Sequence, residues 1–132
     1  MQYQMAVEFR VSSWLDKHRE ETLRLLRKYQ IALVCVDEPQ GLKSSVPPVD
    51  DVTAPLAIIR FHGRNKEDWE RKGIETTDKF NYLYSEDELN EWVPKVLSIA
   101  EKAQGLHVIF KNKHADFPVK NAMHMKKLLG LI

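Results

Sequence analysis

Residues 56–65 read Leu56, Ala57, Ile58, Ile59, Arg60, Phe61, His62, Gly63, Arg64, Asn65, an apolar run that passes directly into arginine, histidine and glycine. A short β-branched segment bounded by Pro55 and Gly63 predicts a buried strand. Side chains alternate along a strand, so Ile58, Arg60 and His62 share one face while Ile59 and Phe61 share the other. A guanidinium and an imidazole at the end of a buried strand are costly without a partner or a ligand, and this stretch is therefore the first candidate for a functional site.

The rest of the composition limits what that site can serve. With 132 residues, 43% hydrophobic and 30% charged, the chain has the make-up of one globular domain with its own core. Twenty Lys and Arg against 19 Asp and Glu leave no global field, so neither nucleic acid nor an anionic membrane is expected as a partner. No basic recognition motif is present either. No apolar span reaches the ~20 residues of a membrane helix and no basic-then-apolar leader opens the sequence, which predicts a cytoplasmic protein. The single cysteine, Cys35, lies within IALVCV and reads as a buried, reduced thiol in a reducing compartment.

In chain order, Met5 to Arg10 alternates Ala6, Glu8 and Arg10 against Val7 and Phe9, so a second strand also ends in an acid and a base on one face. Ser13 is a candidate N-cap for a helix over Asp16 to Gln30, with an apolar stripe of Leu15, Leu23, Leu26 and Tyr29, Leu25 on its flank and a mixed-charge solvated face. Ile31 to Asp37 is a strand apolar on both faces, as strands of covered parallel sheets are. Glu38 to Pro55 carries four prolines and no periodicity and reads as a long loop. Arg64 to Tyr84 is a second long connection, with a helical turn expected near Lys66 to Arg71. Its Trp69, Phe80, Tyr82 and Tyr84 either anchor the loop or offer a stacking surface.

Ser85 and Glu88 form a capping box for the clearest helix, striped by Leu89, Trp92, Val93, Val96, Leu97 and Ala100, with a kink or a short first segment expected at Pro94. Gly105 ends it, Leu106 to Asn112 is the last strand, and Val119 to Leu129 the last helix, with Val119, Ala122, Met125 or Lys126, and Leu129 at helical spacing. Strands alternating with helices predict an α/β fold of parallel β/α units. All four strands end in polar groups: Glu8 and Arg10, Asp37, Arg60 and His62, Asn112 followed by His114. Ligands bind at the carboxyl ends of parallel strands, so a single site drawn from four strands is the economical inference.

AVEFR followed by SSWL, the RFHGRN stretch, FNYLYSEDEL with a tryptophan soon after, and the closing FKN and VKNA together resemble the YecE-like proteins, domain of unknown function 72. The resemblance spans nearly the whole chain and implies a TIM-type β/α barrel without an assigned biochemical role. It covers the second half of that domain, about four strands, and a full barrel needs ~250 residues. Residues 1–132 are thus expected to form a single partial barrel domain, a C-terminal half. Its missing N-terminal half is then replaced by a homodimer partner or left out of a truncated product, the latter because Met1 falls only a few residues before the Met5 strand. The chain reads KNKH at Lys111 to His114, where the family tends to show adjacent asparagines before the histidine.

Several functions compete for the site. An enzyme-like site for an anionic small molecule would use Arg10, Arg60, Arg64, Asn65 and Asn112 to hold phosphate or carboxylate, with His62, Glu8 and Asp37 as the acid–base groups. A divalent-metal hydrolase or isomerase would draw ligands from Glu8, Asp37, His62 and His114, although no spacing motif for a metal or any other cofactor is present and none is expected. The alternatives without chemistry are a buried ion-pair network and a non-catalytic fragment of a barrel.

Overall fold

Each apolar run becomes a strand, and the four strands pair in the order in which they occur. The computed structural model describes residues 3–73 and 76–132; Met1, on which the reading of a mid-domain start rests, lies outside them. Strands β1 (Ala6–Val7), β2 (Ala32–Asp37), β3 (Leu56–Phe61) and β4 (Gly105–Phe110) form one parallel sheet ordered β1-β2-β3-β4. Helix α1 (Arg19–Tyr29) joins β1 to β2, and α4 (Glu86–Lys102) precedes β4. Two single-turn helices, α2 (Lys66–Trp69) and α3 (Thr76–Lys79), lie in the connection after β3, and α5 (Phe117–Leu128) follows β4. The fold is α/β, and four parallel β/α units in sequence resemble the second half of a TIM-type barrel. Among the described residues no helix is long and apolar enough to cross a membrane.

Register decides what each face of the sheet carries. Residues paired in parallel strands point the same way, so Cys35, Ile59 and Val108 share a side with Asp37, Phe61 and Phe110. That side meets the helices. Leu23 and Leu26 of α1, Leu89, Trp92, Val96 and Ile99 of α4, and Met125 of α5 bury themselves against it. Phe61 is its hub, stacked on Phe110 at 4.5 Å and edge-on to Trp92 and Tyr84 at 5.3 Å each. The opposite side carries Ala6, Val34, Val36, Ile58, Arg60, His107 and Ile109. In a closed barrel this face is the packed interior; here Ala6, His107 and Ile109 are exposed, Ile109 at 42%.

Several boundaries differ from the sequence expectation. The first strand pairs over Ala6–Val7 alone, leaving Glu8 to Arg10 free of the ladder. Ser13 caps nothing: Ser12–Leu15 is a 3-10 turn, and α1 begins at Arg19 without a side-chain cap. On α1 the buried face is Thr22, Leu23 and Leu26, while Tyr29 and Leu25 are exposed. Helix α4 starts at the expected capping box and runs unbroken through Pro94, since the lost backbone donor is outweighed by burial on both sides of it. Its buried stripe is Leu89, Trp92, Val96 and Ile99, in place of Leu97 and Ala100, which are exposed. On α5, Val119 is exposed and Asn121 is buried beside Met125.

Candidate functional site

The chain crosses from one face of the sheet to the other at Gly63. Its φ of +96° lies in the left-handed region, and a Cβ there would stand 2.8 Å from Cβ of Tyr82. The alternation that puts Arg60 and His62 on one face therefore stops at the glycine. Arg64 is delivered to the helix side, away from the two residues with which strand spacing groups it.

On the open face, three groups converge on one carboxylate. Glu8 accepts from Arg60 Nη1 at 2.7 Å through Oε1 and pairs through Oε2 with Arg10 Nη2 at 2.8 Å and His62 Nε2 at 3.2 Å. Burial alone would raise the Glu8 carboxyl, but the hydrogen bond of His62, the charge His62 takes on once acid protonates it, and the guanidiniums of Arg10 and Arg60 hold it down at about 2. Burial pushes the His62 imidazole down, and Arg10 and Arg60 outside it add to that against the pull of Glu8. A neutral His62 donates Nε2–H to Glu8 and leaves Nδ1 as an acceptor; Nδ1 is buried with no partner among the described residues.

Trp69 and Phe80, two of the buried aromatics of the second long connection, flank the His62 ring at 6.2 and 5.8 Å. They anchor that connection, and they also wall a cavity of about 540 Å³ together with Arg10, Ser44, Glu70, Lys79 and Lys111. Lys111 lies over the Phe80 ring at 4.6 Å and Lys113 at 5.6 Å. Burial lowers the Lys111 ammonium, and Arg60, Arg10 and Lys113 lower it further, as a local excess of positive charge must.

On the helix side, Asp37 is fully committed. Arg64 grips it through both oxygens at 2.9 and 2.8 Å, the Tyr84 hydroxyl donates to it at 2.7 Å and the Trp92 indole at 2.7 Å. Arg64 also reaches Glu91 at 2.7 Å and Glu88 at 3.4 Å. Tyr84 Oη accepts the Gly63 N–H at 2.8 Å, which ties the crossing point to the same network. Asn112 donates to the Tyr82 carbonyl and to Asn121, while Asn121 holds both the N–H and the carbonyl of Tyr84.

The sequence-predicted set thus divides. Glu8, Arg10, Arg60 and His62 come together; Asp37 and Arg64 meet each other on the opposite face, because Asp37 pairs in register with Phe61 and points with it to the helices. Asn65 caps α2, accepting the Asp68 N–H. Asn112 braces the Tyr82–Tyr84 segment, with only its Oδ1 unpartnered. The metal set of Glu8, Asp37, His62 and His114 does not assemble, and among the described residues no group of three His, Cys, Asp or Glu is placed to hold a metal ion.

Four residues were missed, among them Lys111, which lies just past the end of β4. Asn121 is a buried polar residue on a helix, legible only as a break in the apolar stripe. Lys79 joins the site through a connection that has no strand parity to read. Glu38, one residue beyond Asp37, has the parity of Arg60 and His62, is 1% exposed, and has one oxygen bonded to the Val46 N–H at 2.8 Å and the other unpartnered. Strand alternation continued by one residue would have selected it over Asp37.

A half-barrel with a carboxylate, an imidazole and clustered cations at its strand ends is the class of protein these features define. The family model "Protein of unknown function DUF72" matches residues 1–131, and the chain belongs to that family. It is 33% identical over 132 residues to the UPF0759 protein YunF of Bacillus subtilis, covering 96% of this chain and 46% of YunF. A DUF72 protein structure from Thermotoga maritima is 38% identical with a TM-score of 0.86, over 97% of this chain and 46% of its own. One from Enterococcus faecalis is 33% identical with a TM-score of 0.90, over 99% and 49%. The chain spans about half the length of the relatives it matches.

Proposed function

We propose that this chain binds an anionic small molecule, a phosphate or a carboxylate, in the cavity beside the Glu8–His62 pair. One observation carries the reading: the cavity is lined by three cations, Arg10, Lys79 and Lys111, against the single acid Glu70. Arg60 neutralises Glu8 alongside them, so the carboxylate does not repel the guest. Arg64 has no part in this, since Asp37, Glu88 and Glu91 occupy it. His62, neutral and oriented by Glu8, is the group that would accept a proton in an enzyme-like site. Residues 1–132 act as one partial domain whose open sheet face is covered by further polypeptide, either the first half of a barrel or a second copy of this chain. The lone buried thiol of Cys35, pushed up to about 12 by burial and then by Asp51 and Asp50, suits a reducing, cytoplasmic setting.

Calorimetric titration with inorganic phosphate and with a small carboxylate tests the binding. Lys111→Ala is expected to weaken it by ~1.5 to 3 kcal/mol, the scale of charge-assisted hydrogen bonds, and Arg60→Ala to weaken it too, by leaving the Glu8 charge beside the cavity uncompensated. Absence of heat with either anion, or unchanged affinity in both variants, removes the reading.

A further inference from the structure

Beside the cationic cavity lies a pair of buried polar groups that the charge argument does not use. Glu38 and His62 each follow the last residue of a strand, β2 and β3, whose final residues Asp37 and Phe61 are paired in register. The bond from His62 N to the Asp37 carbonyl, at 2.9 Å, carries the ladder to its end, so the two residues are neighbours across it. Strand parity places both with Val36 and Arg60 on the Glu8 side of the sheet. Each is essentially inaccessible, and each keeps one polar atom without a partner among the described residues: Oε2 of Glu38 and Nδ1 of His62. Buried polar atoms are almost always satisfied, and these two orphans lie on adjacent strand ends, with the His62 ring against the cavity walls Trp69 and Phe80.

The two atoms demand opposite things of a shared guest. Glu38 Oε1 accepts the Val46 N–H, which leaves Oε2 as the seat of the carboxyl proton. His62 spends its ring proton on Glu8, so Nδ1 can only accept. A group that both accepts from Glu38 and donates to His62 is an O–H, either of a water molecule or of a ligand hydroxyl that takes the water's place.

Resting on the anion-binding reading above, we propose that the ligand is a hydroxylated anion, a polyol phosphate or a hydroxy acid. Its charge lies among Arg10, Lys79 and Lys111, and one hydroxyl bridges Glu38 and His62. The neighbours are consistent with a single site. Arg10, which lines the cavity, pairs with Glu8; Trp69 and Phe80, which also line it, flank His62; Ser44 of the cavity wall is two residues from Val46. The carboxyl of Glu38 is pushed up to about 7 by burial, with the Val46 N–H and Arg10 opposing, and so keeps its proton into the neutral range.

A site built around a hydroxyl rejects the analogue that lacks it, because two buried groups are then left unpaired. The test is calorimetry on the 132-residue chain with matched probes, glycerol 1-phosphate against propyl phosphate and glycerate against propionate, at pH 6.5. The hydroxylated member of at least one pair is expected to bind roughly tenfold or more tightly. Glu38→Leu should erase that preference while leaving affinity for the plain anion, and Glu38→Gln, whose amide can still accept from Val46 and donate outward, should retain most of it. Equal affinity within both pairs in the wild-type chain overturns the proposal and leaves the anion reading standing. No binding of any of the four probes overturns the reading on which it rests. The wild-type comparison decides even if Glu38→Leu fails to fold.

Discussion

At Glu38 and Glu8 the same functional group is driven in opposite directions by what surrounds it. Glu8 faces three proton-bearing nitrogens and is held down at about 2, whereas Glu38 is buried with a single N–H donor and is pushed up to about 7. The consequences for stability have opposite signs. Glu8 lies below its ordinary 4.5 when folded, so its contribution is present above about pH 4.5 and is lost as pH falls toward 2. Glu38 lies above 4.5 when folded, so its contribution is present below about pH 4.5 and is lost as pH rises toward 7. Glu38→Gln removes the second effect. Urea unfolding at pH 5 and pH 8 should show the variant gaining on the wild type by roughly 2 kcal/mol between the two; no change in the difference would mean that Glu38 ionises freely in the folded chain.

The elements are held in place by devices at their ends. Ser85 caps α4 in a reciprocal box with Glu88, whose other oxygen takes the Tyr82 hydroxyl at 2.5 Å. Ser85→Ala should therefore cost about 1 kcal/mol or somewhat more in thermal or chemical denaturation. Tyr84→Phe strikes deeper, because the Gly63 N–H loses its acceptor and Asp37 a donor inside the protein. A loss of about 1 to 3 kcal/mol is expected in the same measurement. Gly63→Ala combines a positive φ with a contact at 2.8 Å and should be at least as damaging. A Gly63→Ala protein as stable as the wild type would show that the crossing between faces does not depend on the glycine.

For the whole molecule, the decisive feature is a sheet that stops after four strands. Among the described residues β1 and β4 have no outer neighbour, and Ile109 of the interior-type face is exposed, as are Met5 beside β1 and Val119 and Met123 on α5 beside β4. Bare parallel edges and uncovered apolar side chains recruit other chains. In light scattering the 132-residue chain should run as a dimer or larger species, and a polypeptide corresponding to the first half of a relative's barrel should convert it to a one-to-one complex. A cooperatively melting monomer, indifferent to that added half, would count against both coverings of the open face.

Local patterns in the sequence were enough for the strands, the capping box of α4 and the parallel α/β class, because each depends on spacing along the chain, in apolar runs and periodicity; that the chain matches about half of a barrel came from its resemblance to a family. The Glu8, Arg10, Arg60 and His62 cluster was legible too, because Arg60 keeps its parity in β3 and the other three come to the same side just past the ends of β1 and β3. Parity failed where the backbone turns. The positive φ of Gly63 sent Arg64 to Asp37 on the helix side, and the register of Asp37 with Phe61 placed Glu38 beside His62 in its stead. The partners of Asn112, the cations around the cavity and the open face of the sheet belong to the tertiary structure alone, since they join residues of different elements through connections that have no period to read.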